Sequence, residues 1–331
     1  MATPAPGRAI ISTDGARAAR FLERGCLVAL PTETVYGLGA NALDETAVAG
    51  IFTAKNRPAF DPLIIHQSTA ERILAYAREV PAEARKLADA FWPGPLTLVL
   101  PKRDVVPDLV SAGLNTVALR VPDHPLTREV LGRTDFPVAA PSANPFGFVS
   151  PTTAGHVSDQ LGGKIDFILD GGHCRVGLES TIVGFPGGVA TVLRKGGLAI
   201  EAIEQLLGHA VAVRTHSNSQ PAAPGMLSRH YSPGNRIEIV ERINDAEVDE
   251  HTTAHVVFGK GGAAFAAGST GKPAVFDLSP TGDLAEAARN LFRVLRLLGE
   301  HKYELVAVEL LPEAGLGRAI NDRLRRAAAT E

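Results

Sequence analysis

Two short segments carry residues suited to holding a polyphosphate. Lys55-Asn56-Arg57-Pro58 closes a predicted helix, and Pro141-Ser142-Ala143-Asn144 follows a predicted buried strand. Gly147 and Ser150-Pro151-Thr152-Thr153 come soon after. Cations, hydroxyls and an amide converging on one place would offset and orient several phosphate charges. A plainer reading stands beside this one: cations at a helix C-terminus complement its dipole by about 0.3–1 kcal/mol. A third segment, PTETVYGLGANA at 31–42, leaves a predicted strand and reads as a glycine-rich turn. Open α/β sheets place ligands just beyond the C-terminal ends of their strands, although small polar residues are also ordinary turn formers. His66 ends a further predicted strand near Asp61, as a ligand or as a satisfied core residue.

Several familiar chemistries are missing. GSTGKP at 268–273 lacks the spacing of a phosphate-cradling Walker loop, and FGKGGAAF at 258–265 lacks that of a dinucleotide fingerprint. Glu179-Ser180-Thr181 precedes a strand without the glycine frame of a nucleophile elbow. His173 and Cys174 are adjacent, with no third ligand at metal-binding spacing.

The elements that must position these groups alternate along the first 207 residues. Asp14 to Arg24 reads as a helix closed by Gly25, and Asp44 caps a helix running to about Lys55 with Val48, Ile51 and Phe52 on one face. Further helices are predicted at about 69–78 and 81–91. Strands are predicted at 26–31, 63–66, 96–101, 116–121, 137–140, 167–170, 180–185 and 190–194. Residues 214–236 are polar and rich in Pro and Gly, as linkers are. Beyond them, strands at 237–240, 254–258, 273–277 and 304–309 and helices at 281–299 and 318–329 make a second α/β pattern. The expected fold class is α/β: a twisted mixed sheet covered by helices, then a small Rossmann-like domain. The expected divisions are 1–207, a linker at 208–233, and 234–331.

Composition sets the outer limits. Of 331 residues, 45% are hydrophobic and 21% charged, which suits a globular chain and excludes disorder throughout. The net charge of −3 argues against a nucleic-acid module by bulk charge. Two cysteines, Cys26 and Cys174, exclude a disulfide framework and fit a reducing compartment. No signal-peptide pattern and no run of 18 apolar residues is found, so the expectation is a cytoplasmic protein without a membrane span.

Taken in order, PTETVYGLGANA, AKNRPAFDPLIIH, FWPGPLTLVL, TVALRVPDHP, APSANPFG, SPTTAGHV and ILDGG with GLESTIV resemble the threonylcarbamoyl-AMP synthase family of the YrdC-domain superfamily. PGMLSRHYSP at 224–233 and the tail GLGRAINDRLRRAA at 315–328 resemble its long, two-domain form. The resemblance implies a nucleotidyltransferase. L-threonine, bicarbonate and ATP, with Mg2+, give threonylcarbamoyl-AMP and diphosphate, the first step of threonylcarbamoyladenosine formation in tRNA. The product passes to a tRNA threonylcarbamoyl transferase. A weak contact with tRNA is compatible with this reading.

The resemblance also implies residue roles. Thr34, His66, Arg120, Ala140 and Ser180 line a threonine pocket. Lys55, Arg57, Asp61, Thr116, Ser142, Asn144, Ser150, Arg194 and Tyr231 lie on the ATP side, and Lys55, Arg57, Ser142 and Asn144 are the implied catalytic set. A hydroxyl-reading pocket would reject valine by about 10⁴-fold or more and serine by only about 10–200-fold. Asp61 stands where the resemblance leads one to expect Asn or His in many relatives, and a carboxylate beside phosphates needs Mg2+ or Arg57 to offset it. Lys195 replaces a frequent proline, and Leu227-Ser228 replaces a more basic-aromatic pair. The competing reading is a double-stranded RNA or tRNA-binding protein without synthase activity, whose affinity would fall steeply with salt.

Overall fold

A computed structural model describes residues 8–214, 231–241, 253–260, 265–267, 273–301 and 303–329. The chain divides into two compact units. The first comprises Met1–Phe146, Ser150–Arg175 and Glu179–Leu227; the second comprises Gly147–Val149, Val176–Leu178 and Ser228–Glu331.

The first unit opens with β1 (Ile10–Ser12), α1 (Gly15–Glu23), β2 (Val28–Leu30), β3 (Gly37–Asn41), α2 (Glu45–Lys55) and β4 (Ile64–His66). It continues with α3 (Ala70–Leu74), α4 (Ala82–Phe91), β5 (Leu96–Pro101), α5 (Asp108–Ser111), β6 (Thr116–Arg120), α6 (Pro125–Arg133) and β7 (Val138–Ala139). It ends with α7 (Ala154–Leu161), β8 (Phe167–Leu169), β9 (Thr181–Gly184), β10 (Thr191–Arg194), α8 (Ile200–Leu207) and β11 (Ala212–Val213). Among the described residues these strands form one eleven-stranded mixed sheet in the order β1-β8-β2-β3-β7-β4-β6-β5-β9-β10-β11. The sheet runs past residue 207, because β11 pairs in parallel with β10.

Local chemistry explains the helix ends. The Asp14 carboxylate accepts the Arg17 N–H at 2.8 Å, and Gly25 takes a positive φ of 76° just after α1. Asp44 accepts from the N–H groups of Thr46 and Ala47, and Asn56 closes α2 in the left-handed region. Burial does the rest. One core cluster joins Leu38, Ile51, Leu98 and Leu119; another packs α1 and α6 through Ala18, Leu22, Val130 and Phe167.

Three expectations need correction. Residues 37–41 are not a turn but β3, antiparallel to both β2 and β7. The glycines belong there because a Cβ on Gly39 would lie 3.0 Å from a Val138 methyl, and one on Gly37 would lie 3.1 Å from Ala140 Cβ. A side chain at either position would push the neighbouring strand back by a few tenths of an ångström, which glycine avoids. The helix expected at 69–78 stops at Leu74. The short α5, α6, α7 and α8 and the edge strand β1 were not anticipated.

The second unit contains β12 (Arg236–Val240), β13 (Thr253–Val257), β14 (Phe265–Ala267), β15 (Pro273–Asp277), α9 (Leu284–His301), β16 (Leu305–Glu309) and α10 (Gly317–Ala328). Its sheet runs β12-β16-β13-β15-β14, parallel except for β14. Most of the linker, residues 215–230, and most of the glycine-rich stretches at 261–264 and 268–272 lie outside the described residues. Among the described residues no helix is long and apolar enough to cross a membrane.

Candidate active site

The chain leaves β2 into the loop 31–36, where one hydroxyl organises the turn. Thr32 Oγ1 donates to the Val35 carbonyl at 2.6 Å and accepts the N–H groups of Thr34 and Val35. Its single proton is therefore committed. The 2.8 Å contact between the hydroxyls of Thr32 and Thr34 must then take its proton from Thr34. Arg120 Nη2 also donates to Thr34 Oγ1, at 2.8 Å. Thr34 consequently presents only acceptor capacity to a ligand.

Arg120 ends β6 beside His66, its registered partner at the end of the parallel strand β4. Registered side chains share a face of the sheet. Arg120 forms a buried ion pair with Glu33 at 2.7 Å, and the other Glu33 oxygen accepts the Asp123 N–H at 3.0 Å. Arg120 Nε points to the Gly94 carbonyl at 3.4 Å. Nη2 is thus shared by Glu33 and Thr34, while Nη1 makes no hydrogen bond among the described residues. His66 Nδ1 lies 3.3 Å from the Val138 carbonyl. A carbonyl only accepts, so that contact fixes the proton on Nδ1 and leaves Nε2 as an acceptor. Burial and the Arg120 charge press the His66 pKa down to about 3, so the ring is neutral. Buried Cys174 also feels Glu33, and burial raises its thiol to about 12.

A second group forms around the end of α2. Lys55 is buried; its ammonium donates to the Ser142 carbonyl at 2.5 Å and to the Asn144 carbonyl, tying α2 to the loop after β7. This is more than a dipole-complementing surface cation. Burial and the Arg57 charge push the Lys55 pKa well below the ordinary lysine value, against the pull of Asp61. Arg57 pairs with Asp61 Oδ2 at 2.8 Å and donates to the carbonyls of Asp61 and Pro62 at 3.2 and 3.0 Å. Burial raises the Asp61 pKa, and the charges of Arg57, Lys55 and Arg194 draw it back.

Ser180 stands between these groups in chemistry. Its hydroxyl is 2.7 Å from Thr97 Oγ1 and accepts from Arg194 Nη2 at 3.0 Å; its carbonyl accepts from Arg194 Nε and Nη2 at 3.0 and 2.9 Å. Ser150 donates to Glu179 at 2.7 Å. Ala140 follows β7, its N–H bonded to the Ile64 carbonyl at 3.0 Å.

The structure therefore gathers Thr34, His66 and Arg120 on one side, and Lys55, Arg57, Asp61, Ser142 and Asn144 on the other. Thr116 sits at the opposite end of β6 from Arg120, paired with Pro101. Tyr231 lies in the second unit, buried, with its ring stacked on Phe292 at 5.5 Å and the Arg323 guanidinium 5.2 Å above it. Sequence reasoning missed Glu33 and Thr97. Glu33 stands 87 residues from Arg120, a separation that no spacing rule reads.

Comparison with known proteins identifies the family. Residues 20–196 match a family model described as telomere recombination, and residues 198–329 match that of the threonylcarbamoyl-AMP synthase C-terminal domain. The chain is 45% identical to the threonylcarbamoyl-AMP synthase of Pyrococcus abyssi over 94% of its own length and 93% of the relative's. The chain belongs to the threonylcarbamoyl-AMP synthase family. The synthase of Bacillus subtilis is 38% identical, with 95% and 92% covered. A crystal structure of P. abyssi Sua5 complexed with L-threonine matches this synthase-family chain with a TM-score of 0.86 and 41% identity, over 97% of both chains.

Proposed function

We propose that this chain condenses L-threonine, bicarbonate and ATP into threonylcarbamoyl-AMP and diphosphate in the first unit. The product is an activated carbamate that a separate tRNA-modifying transferase consumes. The carrying observation is the pairing of a charge-balanced pocket at Arg120 with a cluster of buried cations at Lys55, Arg57 and Arg194. A zwitterionic amino acid suits the first and a polyphosphate the second.

In this reading Arg120 Nη1 donates to the threonine carboxylate, and the committed Nη2 fixes the angle of the guanidinium. Thr34 and the His66 Nε2 lone pair accept from the threonine hydroxyl or amine. Valine brings no hydroxyl to satisfy them. Ala140 and Ser180 complete the wall of the threonine pocket. Lys55, Arg57, Arg194, Ser142, Asn144, Ser150 and Thr116 are assigned to ATP.

The neutral amine attacks carbon dioxide and gives up a proton, or attacks bicarbonate with loss of water, and either route gives a carbamate. A carbamate oxygen then attacks the α-phosphorus and diphosphate leaves. Both steps need aligned reactants more than a nucleophilic side chain, which fits the missing nucleophile elbow. The buried loops around Arg120 and Lys55 exclude water, which protects a labile carbamate. Among the described residues no three His, Cys, Asp or Glu gather to hold a metal by themselves. Mg2+ would enter as the companion of ATP and neutralise phosphate charge, and Asp61 has a buried oxygen, without a hydrogen-bond partner among the described residues, that could face it.

The test is diphosphate release from ATP and Mg2+ by the purified chain, with and without L-threonine and bicarbonate. Release that needs both supports the reading. Release indifferent to threonine overturns it.

A further inference from the structure

Asp61 is only 2% exposed, yet its two carboxylate oxygens differ. Oδ2 is held by Arg57 at 2.8 Å. Oδ1 is buried and, among the described residues, has no hydrogen-bond partner. A buried, unpartnered carboxylate oxygen is uncommon, and a bound ion is one of the things that accounts for it. The charges of Arg57, Lys55 and Arg194 all act on this carboxylate, so the place that suits a polyphosphate also contains an anion. Phosphate oxygens only accept hydrogen bonds and would be repelled by Oδ1. A cation between them removes the conflict. Mg2+ takes oxygen ligands and is commonly held by one or two carboxylates together with substrate phosphates.

We infer that Asp61 Oδ1 is a protein ligand of the Mg2+ that enters with ATP. The inference rests on the ATP site proposed above. It assigns Asp61 a role distinct from pairing with Arg57. Without nucleotide the surrounding cations oppose a metal ion, so Mg2+ binds only with the triphosphate.

The test is calorimetric binding of a non-hydrolysable imido analogue of ATP, in Mg2+ and in EDTA, to the wild-type chain and to Asp61→Asn. The wild-type chain is expected to bind the Mg2+ complex at least tenfold more tightly than the free nucleotide. Asp61→Asn is expected to bind the free nucleotide more tightly than wild type does and to lose most of the Mg2+ preference. Equal strengthening of both forms would mean that Asp61 only screens Arg57. Equal weakening would mean that Oδ1 accepts from a nucleoside N–H or O–H. Either result overturns the inference while leaving the ATP site intact; absence of nucleotide binding by wild type would sink both.

A second measurement needs no variant. Mn2+ replaces Mg2+ with wild-type protein labelled with ¹³C at the aspartate carboxyl carbon. Electron–nuclear double resonance of the nucleotide complex should show a ¹³C coupling to the metal, and its absence overturns the assignment.

Discussion

Around Arg120 the positive charge is matched inside the protein, whereas around Lys55 and Arg57 it is left in excess. Glu33 gives one oxygen to Arg120 and the other to the Asp123 N–H, so that carboxylate is fully used. Asp61 is the carboxylate acting on both Lys55 and Arg57, and half of it is uncommitted. A neutral pair can receive an amino acid that brings both charges. An excess of cations awaits a ligand of the opposite sign. On the proposed function, the difference means that each half of the site is charged to complement one substrate.

The harshest way to break this comparison is Arg120→Ala. It leaves Glu33 buried without its cation, and the loss of one partner from a buried pair costs about 3–5 kcal/mol. Chemical denaturation should register that loss, and threonine-dependent diphosphate release should vanish. The double variant Glu33→Gln with Arg120→Met restores neutrality; it should recover much of the stability and none of the threonine binding. Wild-type stability in Arg120→Ala would show that the ion pair is not what holds the pocket.

Lys55→Ala acts on the other half. Removing a charge-assisted donor costs about 1.5–3 kcal/mol, expected here as a weakening of ATP binding by about ten- to a hundredfold with threonine affinity unchanged. If ATP binding survives intact, Lys55 serves only to tie α2 to the 142–144 loop.

His66 separates the halves by pH. Its folded pKa of about 3 lies below the ordinary 6.5. The stability it contributes is therefore complete above 6.5 and is lost as pH falls towards 3. At pH 5 the deficit should reach about 2 kcal/mol. It should appear as the difference between wild type and His66→Gln in denaturation midpoints from pH 7 to 5. Parallel curves would show that the imidazole is not held neutral by its surroundings.

Much of this architecture was readable where one short-range rule suffices. The apolar run at 96–101 coincides with β5, and the Asp44 cap and the end at Lys55 bound α2. In the second unit the helix patterns found α9 and α10 within a few residues. What escaped depends on distant neighbours. Gly37 and Gly39 read as a turn because glycine usually frees the backbone, but here it makes room for Ala140 and Val138. Lys55 at a helix end reads equally as a surface cation until the 142–144 loop is folded over it. His66 stood out as a strand-ending residue and Thr34 and Arg120 through the family's motifs; Glu33, although inside the same PTET segment, revealed its partner only in three dimensions.

The smallest effect tests whether the two halves meet at Ser180. Its hydroxyl touches Thr97 and Arg194 at once, at 2.7 and 3.0 Å. Thr97 lies in β5, while Arg194 lies in β10 and acts electrostatically on Asp61. Thr97→Val keeps the shape of the side chain and removes one hydrogen bond. Ser180 retains Arg194, so the stability loss should be about 0.5–1.5 kcal/mol. The kinetic consequence decides more than the stability does. If Ser180 is a seam, a freed hydroxyl shifts both the threonine wall and the Arg194 contact, and KM for threonine and for ATP should rise together by a few fold. If KM for threonine alone rises, Ser180 belongs to the Arg120 half, and Arg194 holds its place through the Ser180 carbonyl alone.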